Sequence, residues 1–146
     1  MNPYFEQMIM SASPVELIRL LYQKAIASVR EAREHLAARR IIERTGAINK
    51  AYLVLVELSV SLNAEEAPEL SARLAALYAY MQKRLLDANL KQQDQPLAEV
   101  LGLLMTLSQA WNAIPDPAAQ DEAGPATNNL WSSGMADESA RIAVSA

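Results

Sequence analysis

Tyr52-Leu53-Val54-Leu55-Val56-Glu57-Leu58-Ser59-Val60-Ser61-Leu62 is the stretch on which the fold turns. Eight of these eleven side chains are apolar: Tyr52, Leu53, Val54, Leu55, Val56, Leu58, Val60 and Leu62. Clustered Val and Leu admit a buried strand. A strand needs a partner, however, and no second strand-like run occurs in the chain. The helix reading is preferred, and the expected helix covers roughly 44–63, with Ile48, Tyr52, Leu55, Ser59 and Leu62 as its core stripe.

Outward from this segment the helical period repeats. Ser13-Pro14-Val15-Glu16 is a start signal: a hydroxyl cap, a proline that gives up no needed N–H, and an acid that reaches back to the cap. The helix it opens carries Ile18, Leu21, Tyr22, Ala25, Val29, Ala32 and Leu36, and is expected to run to about 38. Arg39-Arg40 and the residues up to Gly46 read as a joint. Asn63 to Pro68 reads as a polar hinge. A third helix, about 68–91, comes next with Leu70, Leu74, Leu77, Met81, Leu85 and Ala88. Lys91 to Pro96 reads as a turn. A fourth helix from Pro96 to Ile114 carries Leu97, Val100, Leu104, Leu107 and Trp111, and Pro115 and Pro117 stop it. Trp111 continues the stripe and is expected to be a core anchor. Four such helices on short turns predict an all-α, antiparallel up-down four-helix bundle. A short N-terminal lead precedes it, containing Tyr4, Phe5, Met8, Ile9 and Met10.

Composition agrees. The chain has 146 residues, of which 51% are hydrophobic and only 5% aromatic. That length is one domain's worth. The division expected is a helical domain over 1–114 and a low-complexity, disordered acidic tail over 115–146. Residues 1–114 hold 12 Lys and Arg against 12 Asp and Glu, whereas 115–146 hold Arg141 against five acids, so the net charge of −4 belongs to the tail. A neutral body with an acidic tail argues against nucleic acid and against anionic membrane as partners. No uncharged apolar run is long enough to insert in a membrane, and the first cation is Arg19, so the N-terminus lacks a basic secretory leader. The expected location is the cytoplasm.

Candidate chemistry is thin. Cysteine is absent, which excludes thiolate nucleophiles, disulfides and Fe–S clusters. A di-iron bundle needs two Glu-x-x-His pairs, and His35 is the sole histidine. His35 reads as a surface residue near the negative end of the first helix. The glycines stand singly, without a phosphate-binding loop. The reading is a protein that is not an enzyme and takes no cofactor.

The 52–62 helix is apolar on more sides than one bundle core needs. Tyr52, Leu55, Leu58 and Leu62 can fill the interior, which leaves Leu53, Val56 and Val60 as a second stripe at i, i+3, i+7. Two readings stand. The second stripe is covered by the protein's own helices, or it forms a groove for another chain's apolar segment. In the second reading Tyr78, Leu86 and Asn89 form the other wall, the Asn89 amide pairing with a client's backbone. Tyr4 and Met8 lie nearby and can cover the groove when it is empty.

Several segments together resemble a known family, the flagellin export chaperones of the FliS family. They are Ser11-Ala12-Ser13-Pro14-Val15-Glu16-Leu17-Ile18 with Tyr4 ten residues before Pro14, then Leu21-Tyr22, Lys50-Ala51, Glu57-Leu58 and Ser61-Leu62-Asn63. The most specific are Leu77-Tyr78-Ala79-Tyr80-Met81 and Arg84-Leu85-Leu86-Asp87-Ala88-Asn89, followed by Leu97-Ala98-Glu99-Val100 and Ala110-Trp111. Gln23-Lys24 stands where the family often has Asp-Gly. The resemblance implies a bundle that binds the disordered C-terminal segment of flagellin in the bacterial cytosol. Such a chaperone prevents early polymerisation and delivers its client to components of the flagellar type III export apparatus. A client chaperone is expected to be a monomer or a weak homodimer. The rival reading is a structural bundle that self-associates through the same apolar face.

Overall fold

The computed structural model describes residues 14–114, and its helices are α1 (Pro14–Ala37), α2 (Ile41–Val60), α3 (Pro68–Lys91) and α4 (Gln95–Asn112). There are four helices and no strands among the described residues, so the 52–62 run is helical. The N-terminal lead and the acidic tail, and with them Tyr4, Met8 and the Ser13 cap, lie outside the described residues.

The helices form a ring in chain order. α1 packs against α2 and α4, and α3 packs against the same two helices. Three-residue connections at 38–40 and 92–94 join antiparallel neighbours. Both are built the same way. Arg39 (φ 58°) and Gln92 (φ 55°) adopt the left-handed conformation. In each case the next N–H returns to the helix just ended. The Arg40 N–H donates to the His35 carbonyl at 2.9 Å, and the Gln93 N–H to the Ala88 carbonyl at 3.2 Å. The seven-residue connection 61–67 is tied by Asn63. Its side-chain oxygen accepts the Glu66 N–H at 3.3 Å. Its carbonyl accepts the Ala67 N–H at 3.2 Å.

Each helix buries one stripe. α1 turns in Val15, Ile18, Leu21, Tyr22, Ala25, Val29 and Ala32; α4 turns in Leu97, Val100, Leu104, Leu107 and Trp111. Trp111 is a core residue, as its place in the stripe predicts. Burying a Leu or Val side chain of this kind stabilises the fold by roughly 1.5–3 kcal/mol.

The structure corrects four expectations. First, α2 starts at Ile41, and Gly46 lies inside it. The left-handed Arg39 completes the joint in three residues, so no glycine is needed there. Second, the core of α2 is Ala47, Ile48, Ala51, Val54, Leu55 and Leu58, with Arg44; Tyr52 and Ser59 are only half-buried, and Leu62 is half-buried just beyond the helix. Third, α4 ends at Asn112; Ala113 and Ile114 leave it as a turn, with Ile114 still buried. Fourth, His35 is half-buried rather than on the surface, and its Nδ1 has no hydrogen-bond partner among the described residues.

Candidate functional site

Large exposed apolar side chains concentrate on α2 and α3. On α2 they are Ile41, Ile42, Leu53, Val56 and Val60; on α3 they are Tyr80, Leu86 and Leu90; α4 adds Met105. At about 100° per residue, Leu53, Val56 and Val60 fall within one narrow arc, and Ile42, eleven residues before Leu53, falls on the same line. Val60 is 76% exposed and Leu53 53%, while Val56, at 36%, sits at the edge of the packed surface. The outer stripe is thus uncovered among the described residues, and the reading in which neighbouring helices cover it is overturned.

The register between α2 and α3 comes from one side chain. The Asn89 Oδ1 accepts from Arg44 Nε at 2.9 Å and from Thr45 Oγ1 at 3.2 Å, and the Asn89 carbonyl accepts from Arg44 Nη2 at 3.4 Å. Thr45 therefore marks the edge of α2 that meets α3. Tyr52 and Val56, seven and eleven residues later, continue that edge toward the far end. Asn89 marks the facing edge of α3. Leu86, three residues earlier, stands beside it, and the exposed Ala79 and Ala75 repeat the Leu86 direction at seven and eleven residues. Tyr52 and Val56 on α2 and Leu86, Ala79 and Ala75 on α3 thus lie along the two edges that meet, with Leu90 and Ile42 exposed near one end and Val60 near the other.

Of the residues expected at the site, Leu53, Val56, Val60 and Leu86 are each exposed. Tyr78 does not, and this is a correction: it is completely buried. Leu74, Tyr78, Met81 and Leu85 follow a four-three-four spacing along one line, so Tyr78 lies at the centre of the buried arc. Its hydroxyl meets that of Tyr22 at 2.6 Å, across the bundle from α3 to α1. Asn89 is half-buried, and its side-chain oxygen is already occupied by Arg44 and Thr45. Tyr4 and Met8 lie outside the described residues. Ile42 and Leu90, the most exposed large apolar residues at 83% and 81%, are not among those singled out by the sequence. A signal exists for both: Ile42 repeats the phase of Leu53, and Leu90 is one turn beyond Leu86.

The opposite seam, α3 with α4, is polar. Arg84 Nε donates to Glu99 Oε1 at 2.7 Å, Arg84 Nη2 to Gln95 Oε1 at 2.6 Å, and the Tyr80 hydroxyl lies 2.9 Å from both Glu99 oxygens. The Arg84 hydrogen bond, and then that of Tyr80, hold the Glu99 carboxyl below the usual carboxylate range. Arg33 grips Asp94 with two bonds, at 2.8 and 2.9 Å, joining α1 to the α3–α4 turn. Among the described residues no three His, Cys, Asp or Glu side chains come together to hold a metal ion. No described helix is long and apolar enough to cross a membrane.

The class is an all-α antiparallel bundle that, among the described residues, exposes large apolar side chains along its second and third helices. The chain belongs to the family described as flagellar protein FliS, whose model matches residues 1–118. It is similar to the flagellar secretion chaperone FliS of Salmonella typhimurium, 36% identical over 80% of this chain and 87% of the relative. It is similar also to the flagellar secretion chaperone FliSB of Pseudomonas aeruginosa, 33% identical over 75% of this chain and 86% of the relative. The flagellar secretion chaperone FliS of Bacillus subtilis is 31% identical over 84% of this chain and 93% of the relative.

Proposed function

We propose that this protein is a flagellar secretion chaperone of the cytosol that binds the C-terminal segment of newly made flagellin, prevents its early polymerisation and hands it to the flagellar export apparatus. The observation that carries the reading is the uncovered stripe Leu53, Val56 and Val60 beside Leu86, in a chain of this family. A segment that is unfolded until it binds can lay apolar anchors along such a groove, at the cost of being ordered there. The chemistry is non-covalent and needs neither cofactor nor catalytic group.

Val56→Glu tests it. Val56 is already at the surface, so the charge meets water in the free protein and the client in the complex. Helicity by circular dichroism stays native, and affinity for a flagellin C-terminal peptide falls at least ~10-fold, or ~1.4 kcal/mol, by titration calorimetry. A folded variant with unchanged affinity removes the groove from this face. Sizing at two concentrations separates the rival reading. A self-assembling bundle dimerises strongly alone, whereas a client chaperone stays monomeric or weakly dimeric and shifts when the peptide is added.

A further inference from the structure

The exposed side of α2 has a period of its own. Ile42, Gly46, Asn49, Leu53, Val56 and Val60 are all exposed, and they follow one another at four, three, four, three and four residues. At about 100° per residue this line runs along the side of α2 opposite the buried arc through Arg44, Ala51, Leu55 and Leu58. The stripe is therefore a ridge that points straight out of the bundle. A four-three repeat is the pattern by which one helix packs on another, the side chains of each filling gaps in the other. Gly46 and Asn49 have little to bury, so the apolar part of the ridge is Leu53, Val56 and Val60.

Glu43, Lys50 and Glu57, seven residues apart, flank the ridge on the side away from the Thr45 edge that meets α3. All three are exposed, and none enters an ion pair among the described residues. This row is its own complement. Where two copies of α2 lie antiparallel across a two-fold axis, the same flank of each helix meets. Overlapping all six ridge positions sets Lys50 against the partner's Lys50 and Glu43 against the partner's Glu57, and like charge rejects that register. A shift of one heptad one way pairs Glu43 with the partner's Lys50, but it centres the contact on Gly46 and Asn49. A shift of one heptad the other way pairs Lys50 with the partner's Glu57 and Glu57 with the partner's Lys50. It centres the contact on Leu53 against the partner's Val56, with Val60 over the partner's Asn49. Charge and apolar burial agree in that register alone. A parallel pairing brings the charged row against Thr45, Tyr52 and Ser59, which hold no charge to meet it.

We infer that a second copy of this chain docks on the ridge, α2 lying antiparallel on the partner's α2, centred between Leu53 and Val56 and held in register by Lys50 with the partner's Glu57 and the reverse pair. The inference rests on the proposed function and adds the regulation of that site. The partner copy covers the residues offered to the client, so the free chaperone shields its own apolar face and the client has to displace the partner copy. The contact is small, one helix face a side against the ~20–30 residues a side of a stable interface. The dimer is therefore weak and exchanging, which suits a face that must be vacated. The flanking charge pairs are exposed and choose the register more than they add affinity.

Charge exchange tests it, read by sedimentation of the full chain over a concentration series. Lys50→Glu and Glu57→Lys, each checked for native helicity, turn two attractive pairs into two repulsive ones. Each is expected to weaken dimerisation at least about tenfold. An equimolar mixture of the two variants restores the dimer as a heterodimer, and both changes in one chain restore the homodimer. A flagellin C-terminal peptide converts the parent dimer into complexes of a single chain, and it binds the Lys50→Glu monomer without that competition. A parent that stays monomeric throughout the series overturns the inference. So do variants that dimerise like the parent, or a peptide that binds an intact dimer. A peptide that binds neither the parent nor the Lys50→Glu variant overturns the chaperone reading instead, and the charge exchange still decides the dimer on its own.

Discussion

Tyr22, Tyr78 and Trp111 bring three helices to one buried point. Burial pushes the Tyr22 hydroxyl up to about 12, against an ordinary 10.0, despite hydrogen bonds from Tyr78 and Trp111 that pull it down. Tyr78 is pushed well above its ordinary value, again chiefly by burial. Both groups are therefore neutral in the folded protein. A raised value in the folded state gives stability that is complete below pH 10.0 and is lost as the unfolded chain, but not the folded one, gives up its protons. Denaturant midpoints should be level up to about pH 10 and fall between about pH 10 and 12, less steeply in a Tyr22→Phe, Tyr78→Phe double variant. Tyr22→Phe removes the Tyr78 hydroxyl's partner and should cost about 1–3 kcal/mol, whereas Tyr78→Phe leaves Tyr22 its bond with Trp111 and should cost less; because the two residues share one bond, the double change should cost less than the two singles together. Arg44 makes a similar case. It is 4% exposed, and its Nε donates to Asn89. Asn89→Ala removes that acceptor and should lower stability by about 1–3 kcal/mol in chemical denaturation, whether or not client binding also changes. A variant as stable as the parent would show that water replaces the amide.

At the scale of the element, α2 does two jobs with one sequence. Its inner arc of Ala47, Ile48, Ala51, Val54, Leu55 and Leu58 packs the bundle, and its outer arc stays apolar. That doubling is why the segment looks like a strand when read without a period. Gly46 in α2 and Gly102 in α4 are interior helical residues where an added methyl would meet nothing within 4 Å. Neither has a left-handed conformation to preserve: among the described residues positive φ belongs to Arg39 and Gln92. Gly46→Ala and Gly102→Ala should therefore each raise stability by about 0.5–1 kcal/mol, read as a higher denaturant midpoint at unchanged slope. A loss at either site would mean that the glycine serves a partner or a bend that the helix itself does not require.

For the whole molecule, the body over 14–114 already holds a closed ring of four helices around one core. Removing residues 115–146 should leave the melting temperature nearly unchanged, within the roughly 2–6 °C that about 1 kcal/mol represents, because the core is already closed by residues 14–114. A fall of more than that would show the tail docking through its apolar residues, Leu130-Trp131 or Ile142. Helix number and the second apolar stripe are legible in the sequence, because they depend on a period of 3.6 that each segment carries alone, whereas the ends of α2 and α4 are not. The third helix is readable at 68–91 for that reason, and spacing alone picks out Leu53, Val56 and Val60. Burial is another matter. Tyr78 reads as a groove residue and stands in the core, because the rotation of α3 about its axis is set by what α2 and α4 present to it. Arg44 becomes the link to Asn89 only when two helices lie side by side. The tight turns at Arg39 and Gln92 carry no glycine to announce them; helix packing imposes the left-handed conformation. A local period is a property of the chain, whereas the direction in which each stripe points is a property of its neighbours, and only the assembled bundle decides it.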